Sequence, residues 1–155
     1  MYAKAYIEYL AHFHGTRDYF ECHEVLEEHW KAVDPKNRSS VWVLLIQIAV
    51  SMYHARRGNI KGAKTLMSRC LRRIQEHTNE LEKLGLDPAH LEKQLKIANE
   101  QLMDKRRPYL SWNMSIKDLC LRQEVQVLCH HWNVAYGSPS DLSNDDLIHK
   151  HKRRA

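Results

Sequence analysis

The stretch Tyr19-Phe20-Glu21-Cys22-His23-Glu24-Val25-Leu26-Glu27-Glu28-His29-Trp30 gathers more groups capable of chemistry than any other part of the chain. On a helix, positions i, i+4 and i+7 share a face, which aligns His23, Glu27 and Trp30, with Phe20 one turn earlier on the same side. An imidazole and a carboxylate embedded in an aromatic stripe cost free energy to bury unless they satisfy each other or hold a ligand. Two chemistries suit the pair, and His23 and Glu27 are the catalytic candidates in both. In one, Glu27 orients His23 as a general base in a pocket closed by Trp30 and Phe20. In the other, His23 and Glu27 bind a divalent metal such as Zn or Mn, with His54 as the third ligand that a catalytic site requires. His12 and His14 are alternative third ligands, of which at most one can reach. His29 lies six residues, about 240°, around the helix from His23, so the pair lacks the geometry of the HExxH zinc proteases.

A second polar line runs along the most apolar segment of the chain. Gln47, Ser51 and His54 fall at i, i+4 and i+7 within Val41–Arg57, a helix otherwise apolar nearly all round. Polar groups on such a helix need partners. The simplest arrangement turns them toward His23 and Glu27 across the short 34–39 connection, making one pocket from Phe20, His23, Glu27, Trp30, Gln47, Ser51 and His54. The same residues also make sense as a satisfied polar network that fixes helix register, with no ligand at all.

The order His23-x-x-x-Glu27-x-x-Trp30 within Tyr19–Glu27, followed by Ile46-Gln47-Ile48-Ala49, His54, Arg57-Gly58-Asn59 and Gly62-Ala63, resembles a bacterial and archaeal family of helical proteins, domain-of-unknown-function family 309. The resemblance covers about residues 12 to 70. It implies that the His/Glu/Trp motif binds a metal, with His23 and Glu27 as ligands, Trp30 as a packing or shielding group, and Gln47 and His54 as second-helix members of the site.

The elements that must position these residues can be read from caps and breakers. Tyr2, Tyr6, Tyr9, Leu10 and Phe13 recur at helical spacing until Gly15. Asp18 followed by Glu21 starts the motif helix, which runs to the Asp34-Pro35 turn. Ser39 or Ser40 caps the central helix and Gly58 stops it. Asn59 caps a helix from Ile60 to about Glu82, and Asp87-Pro88 opens the next, to about 104. Pro108–Asn113 is an aromatic connector, Ser115 to about Trp132 another helix, and Asp141–His149 a last short one. Five Gly and four Pro in 155 residues, with no strand alternation, agree with this reading. The expected architecture is all-α: a single-domain bundle of about five to seven helices around Val41–Arg57. Residues 1–75 bear the motif, 76–148 support it, and 149–155 form a basic tail.

Bulk properties narrow the function. The most apolar run, Val41 to Ala55, is about five residues too short for a bilayer, so no membrane span is expected. The N-terminus lacks the uncharged apolar block of a secretory signal, and the four cysteines form no CxxC pair; reduced thiols in the cytoplasm follow. The formal net charge of +5 is concentrated in residues 56–107 and in the tail. These basic segments suggest weak RNA binding as an accessory role, although no aromatic residues interleave with the Lys and Arg of 56–73 to stack bases. His77, His90, His149 and His151 read as surface groups, and Tyr109 and Trp112 as cover for a neighbouring subunit in a homo-oligomer. The function reading is a helical protein with a polar His/Glu/Trp pocket. That pocket serves a binding module for a small ligand or partner, or a structural polar network. The alternatives are a metal-dependent hydrolase-like enzyme using His23, Glu27 and His54, and an RNA-binding accessory protein.

Overall fold

The fold is taken from a computed structural model that describes residues 1–104 and 106–153, with side chains described through His151. Seven helices form the body: α1 (Lys4–Ala11), α2 (Tyr19–Val33), α3 (Val41–Arg56), α4 (Ile60–Arg73), α5 (Thr78–Lys83), α6 (Pro88–Met103) and α7 (Leu119–His131). Two single-turn helices, α8 (Asp145–Ile148) and α9 (Lys150–Arg153), end the described chain. Among the described residues there is no strand, only an isolated antiparallel bridge between Leu86 and Ile116. The fold is all-α, as the sequence leads one to expect.

The caps are those written in the sequence. Asp18 Oδ1 accepts from Glu21 N at 3.0 Å, Ser40 Oγ from Trp42 N at 3.1 Å, and Asn59 Oδ1 from Gly62 N at 3.1 Å. Asp87 does the same for His90 N, with Pro88 as the first helical residue. Each side chain satisfies an amide that has no intrahelical partner. Gly58 terminates α3 at φ +88°, a left-handed conformation that a side chain would resist.

α3 is the axis of the bundle. It packs against α2 on one side and α4 on the other, and ten of its sixteen residues are buried, so no face of it is given over to solvent. α1 lies against α2 and α7, and α6 covers α4. The resulting core is continuous, from Tyr6 and Leu10 through Leu45, Ile48 and Met67 to Leu95 and Val125.

Four segments depart from the simple helical reading, one of them the last short helix, expected over Asp141–His149 and found over Asp145–Ile148. The helix expected from Ile60 to about Glu82 breaks after Arg73 into a tight 3-10 turn, Ile74–His77, before α5. With three residues per turn, Ile74 and His77 eclipse and both point inward; His77, expected at the surface, is 5% exposed and bonds Glu80 through Nδ1 at 2.7 Å. The helix expected from Ser115 begins only at Leu119, because residues 115–118 pair with the 85–87 turn: Asp87 N donates to Ser115 O, and Lys117 N and Asp118 N to Gly85 O. The chain also passes from α1 to α2 through a π-helical turn, His12–Thr16, and then Arg17 in the left-handed region at φ +58°.

Tyr109 and Trp112 serve this chain's own core. The Tyr109 hydroxyl donates to the Tyr19 hydroxyl at 2.8 Å, and the Trp112 ring meets Phe13 edge-on while its indole N–H reaches Met52 Sδ at 3.4 Å. Both rings are half-buried against this chain's own core.

Candidate functional site

The N-terminal half of α2 and the C-terminal half of α3 bring His23 and His54 to one pocket. Phe20 and His23 from α2 and Val50, Tyr53 and His54 from α3 line a pocket of about 160 Å³, with Tyr19 at its base and His151 of α9 on its far wall. The Phe20 ring lies 5.8 Å from both the His23 and the Tyr53 ring centroids, so the walls are aromatic faces and edges.

His23 is fixed by carboxylates on both sides. Its Nε2 lies 2.5 Å from Glu27 Oε2 and its Nδ1 3.2 Å from Glu24 Oε1. Lys31 Nζ continues the ladder at 2.9 Å from Glu27 Oε1. That Lys31 bond and the adjacent His23 hold the Glu27 carboxyl below its ordinary pKa despite partial burial. Both ring nitrogens of His23 thus lie against carboxylate oxygens.

His54 is arranged differently. Arg57 approaches its Nδ1 with Nη2 at 3.0 Å and Nε at 3.2 Å, and Asn59 Nδ2 lies 3.4 Å away. All three are donors, so Nδ1 is the acceptor and the ring proton sits on Nε2. Burial, then the Arg57 charge, then His151 lower the His54 pKa, which keeps the ring neutral at pH 7.

The rest of the expected site is distributed elsewhere. Ser51 is fully buried against α4, where its hydroxyl donates to Ala63 O at 2.9 Å, and it does not line this pocket. Trp30 sits near the exposed end of α2, its indole N–H donating to Asn37 O at 3.1 Å across the α2–α3 connection. Gln47 lies two turns before His54 on α3, and its buried Oε1 has no partner among the described residues. Glu27 faces His23 and Lys31 and does not line the pocket. His12 and His14 are turned away by the π-helical turn: His12 Nδ1 meets Thr16 Oγ1 at 2.8 Å, and His14 is wholly buried between Leu10 O and Met114 N. Among the described residues, no three His, Cys, Asp or Glu side chains converge as metal ligands.

Four lining residues, Tyr19, Val50, Tyr53 and His151, were not among the expected pocket residues, and two of them carry polar contacts across the pocket. Tyr53, next to His54, bonds the His151 ring through its hydroxyl, which also accepts from His151 N at 3.0 Å. His151, read as part of a surface tail, is brought in by long-range ties. Lys150 Nζ pairs with Asp18 at 2.5 Å and Glu21 at 3.3 Å at the start of α2. Arg56 donates to Arg17 O at 2.5 Å, to Ser140 Oγ at 3.1 Å and to Leu147 O at 3.2 Å. The part of the basic tail that reached Arg154 and Ala155 lies outside the described residues.

The model of one protein family, Domain of unknown function (DUF309), matches residues 6–66. The Bacillus subtilis (strain 168) protein described as "Uncharacterized protein YpuF" is 46% identical over 154 residues, covering 99% of this chain and 88% of its own length. The chain belongs to the DUF309 family. No solved structure matches it. Every residue lining the pocket except His151 falls inside the segment that the DUF309 model matches. No helix among the described residues is long and apolar enough to cross a membrane.

Proposed function

We propose that the protein is a binding module for a small planar ligand of about one ring, held in the pocket between α2 and α3. The observation that carries this reading is the Nε2–H of His54. It is the one ring nitrogen of the His23/His54 pair with no protein partner among the described residues, and it belongs to a pocket walled by Phe20 and Tyr53. A space of about 160 Å³ compares with cavities of about 150 Å³ that accept benzene. Aromatic walls supply dispersion and stacking, and a single fixed donor sets orientation. The ligand is therefore a ring bearing a carbonyl or similar acceptor.

The His23–Glu27–Lys31 ladder serves as scaffolding for this pocket. A general base needs a nitrogen within reach of the proton it abstracts, and both nitrogens of His23 are occupied by carboxylate oxygens at 2.5 and 3.2 Å. That geometry favours binding over catalysis by the pair. We place the protein in a reducing compartment such as the cytoplasm, on the ground that Cys22, Cys70 and Cys129 are buried as free thiols and Cys120 is exposed and unpaired.

Titration with benzamide, followed by backbone amide shifts, tests the reading. Saturable shifts confined to residues around Phe20, Tyr53 and His54, weaker binding of toluene, and loss of the difference in His54→Phe support it. Equal binding of benzamide and toluene, or no saturable shift at these positions, refutes it.

A further inference from the structure

A second cavity, of about 250 Å³, lies on the other side of α3, between α3, α4, α6 and the connector that follows α6. Its walls are Met52, Ala55, Met67, Ala98, Leu102 and the ring of Tyr109. It is separate from the histidine pocket. Tyr19 lines one and Tyr109 the other, and their hydroxyls meet at 2.8 Å in the partition between them.

The lining sets the chemistry of the occupant. A volume of 250 Å³ equals the liquid share of about eight waters, yet apolar walls give water few partners, so a hydrocarbon group is the better filling. Ser51, the buried polar residue of the lining, spends its hydroxyl on Ala63 O, and the charged groups lie at the mouth. Arg107 Nε lies 3.3 Å from Asp104 Oδ2 and Arg106 Nε 3.7 Å from Asp104 Oδ1. Among the described residues, Asp104 and Arg107 are the charged groups of the lining; Arg106 reaches the same carboxylate from an exposed position outside it. Arg107 itself lines the cavity and its side chain is 59% exposed, so its remaining donors are open to a ligand at the mouth.

We propose that this cavity binds an aliphatic monocarboxylate of about eight carbons. The chain lies among Met52, Met67, Ala98 and Leu102, and the carboxylate meets Arg107 at the rim. Methionine walls suit a flexible chain because their side chains adapt to its shape.

The test uses the full chain labelled with ¹³C at its methionine methyl groups and titrated with octanoate or with 1-octanol. The expected result is a saturable shift of the Met52 and Met67 methyls with no shift of Met114, which is buried elsewhere in the core. Octanoate should bind about tenfold more tightly than octanol, the size of one charge-assisted hydrogen bond, and the exposed substitution Arg107→Gln should abolish that preference. Three results would overturn the proposal: no saturable shift of Met52 and Met67, equal affinity for octanoate and octanol, or a preference that survives in Arg107→Gln. Concerted movement of all methyl signals with loss of dispersion, as a surfactant produces, would overturn it as well.

Discussion

Arg57 fixes the tautomer of His54. Its Nη2 and Nε stand 3.0 and 3.2 Å from His54 Nδ1, and a guanidinium can only donate, so the imidazole proton is driven to Nε2. The two residues lie one turn apart at the end of α3, where the helix stops at Gly58, so a local feature of the backbone sets the chemistry of the pocket wall. Imidazole ¹⁵N shifts at pH 7 should report a neutral His54 with the proton on Nε2. In Arg57→Ala the His54 pKa should rise part of the way back toward 6.5, since burial, the larger cause of its depression, remains. An unchanged His54 titration in Arg57→Ala would contradict this assignment.

His14 makes stability depend on pH. The ring is fully buried and neutral, donating from Nδ1 to Leu10 O at 2.7 Å and accepting at Nε2 from Met114 N at 2.9 Å, and burial drives its pKa down to about 4. The unfolded chain takes up this proton near 6.5 and the folded chain only near 4. The stability associated with the neutral ring is therefore fully present above 6.5 and is lost as pH falls from 6.5 to about 4. The total is about 3 kcal/mol. Urea unfolding between pH 7.5 and 4.5 should show this loss, and His14→Ala should be less stable at pH 7 but with a flatter profile across the same window.

Gly15 is required by close approach. A Cβ at this position would stand 2.7 Å from Cys129 Sγ and 3.0 Å from Val134 Cγ2, in the contact between the π-helical turn and the end of α7. Gly15→Ala should cost about 1–3 kcal/mol by overpacking. Since the nearest clash is with sulfur, the double variant with Cys129→Ala should be less destabilised than the sum of the two single changes, by about 1 kcal/mol. Strict additivity in thermal or urea unfolding would place the strain elsewhere.

Arg56 ties the C-terminal segment to the bundle. Its guanidinium stacks over Tyr19 at 4.5 Å and reaches backbone oxygens of Arg17 and Leu147. Arg56→Met keeps much of the packing volume but removes these donors; Arg17 O retains its bond from Tyr19 N, and the lost bonds cost about 1–3 kcal/mol. Amide hydrogen exchange should accelerate in residues 140–151 well beyond any change in α6. Uniform acceleration across the molecule would show only a global loss of stability.

The sequence made some of this legible and hid the rest for physical reasons. The caps could be read, with Ser39 and Ser40 as alternatives, because capping is local: Asp18, Asn59 and Asp87 bond amides three positions on, and Ser40 one two positions on. His23 and His54 could be placed on neighbouring helices facing one another because α2 and α3 are joined by a short connection. Ser51 could not be placed. Its spacing with Gln47 and His54 makes a polar line in the sequence, but α3 packs against α2 and α4 at once, so that line does not say which neighbour each group meets, and the Ser51 hydroxyl is satisfied by Ala63 O of α4. His151 was beyond reach for another reason: its contact with Tyr53 spans 98 residues and depends on Lys150 and Arg56 holding the chain end. The π-helical turn that removes His12 and His14 from the site depends on the buried environment of Gly15 and Arg17, which helical periodicity does not encode.

The most direct measurement of the central claim is a crystal structure of the full chain grown with benzamide. The account predicts the ring between Phe20 and Tyr53, with the carbonyl oxygen within hydrogen-bond distance of His54 Nε2 and His54 Nδ1 still held by Arg57. Benzamide bound away from this pocket at saturating concentration, or seated in it with its carbonyl turned from His54, would contradict the account.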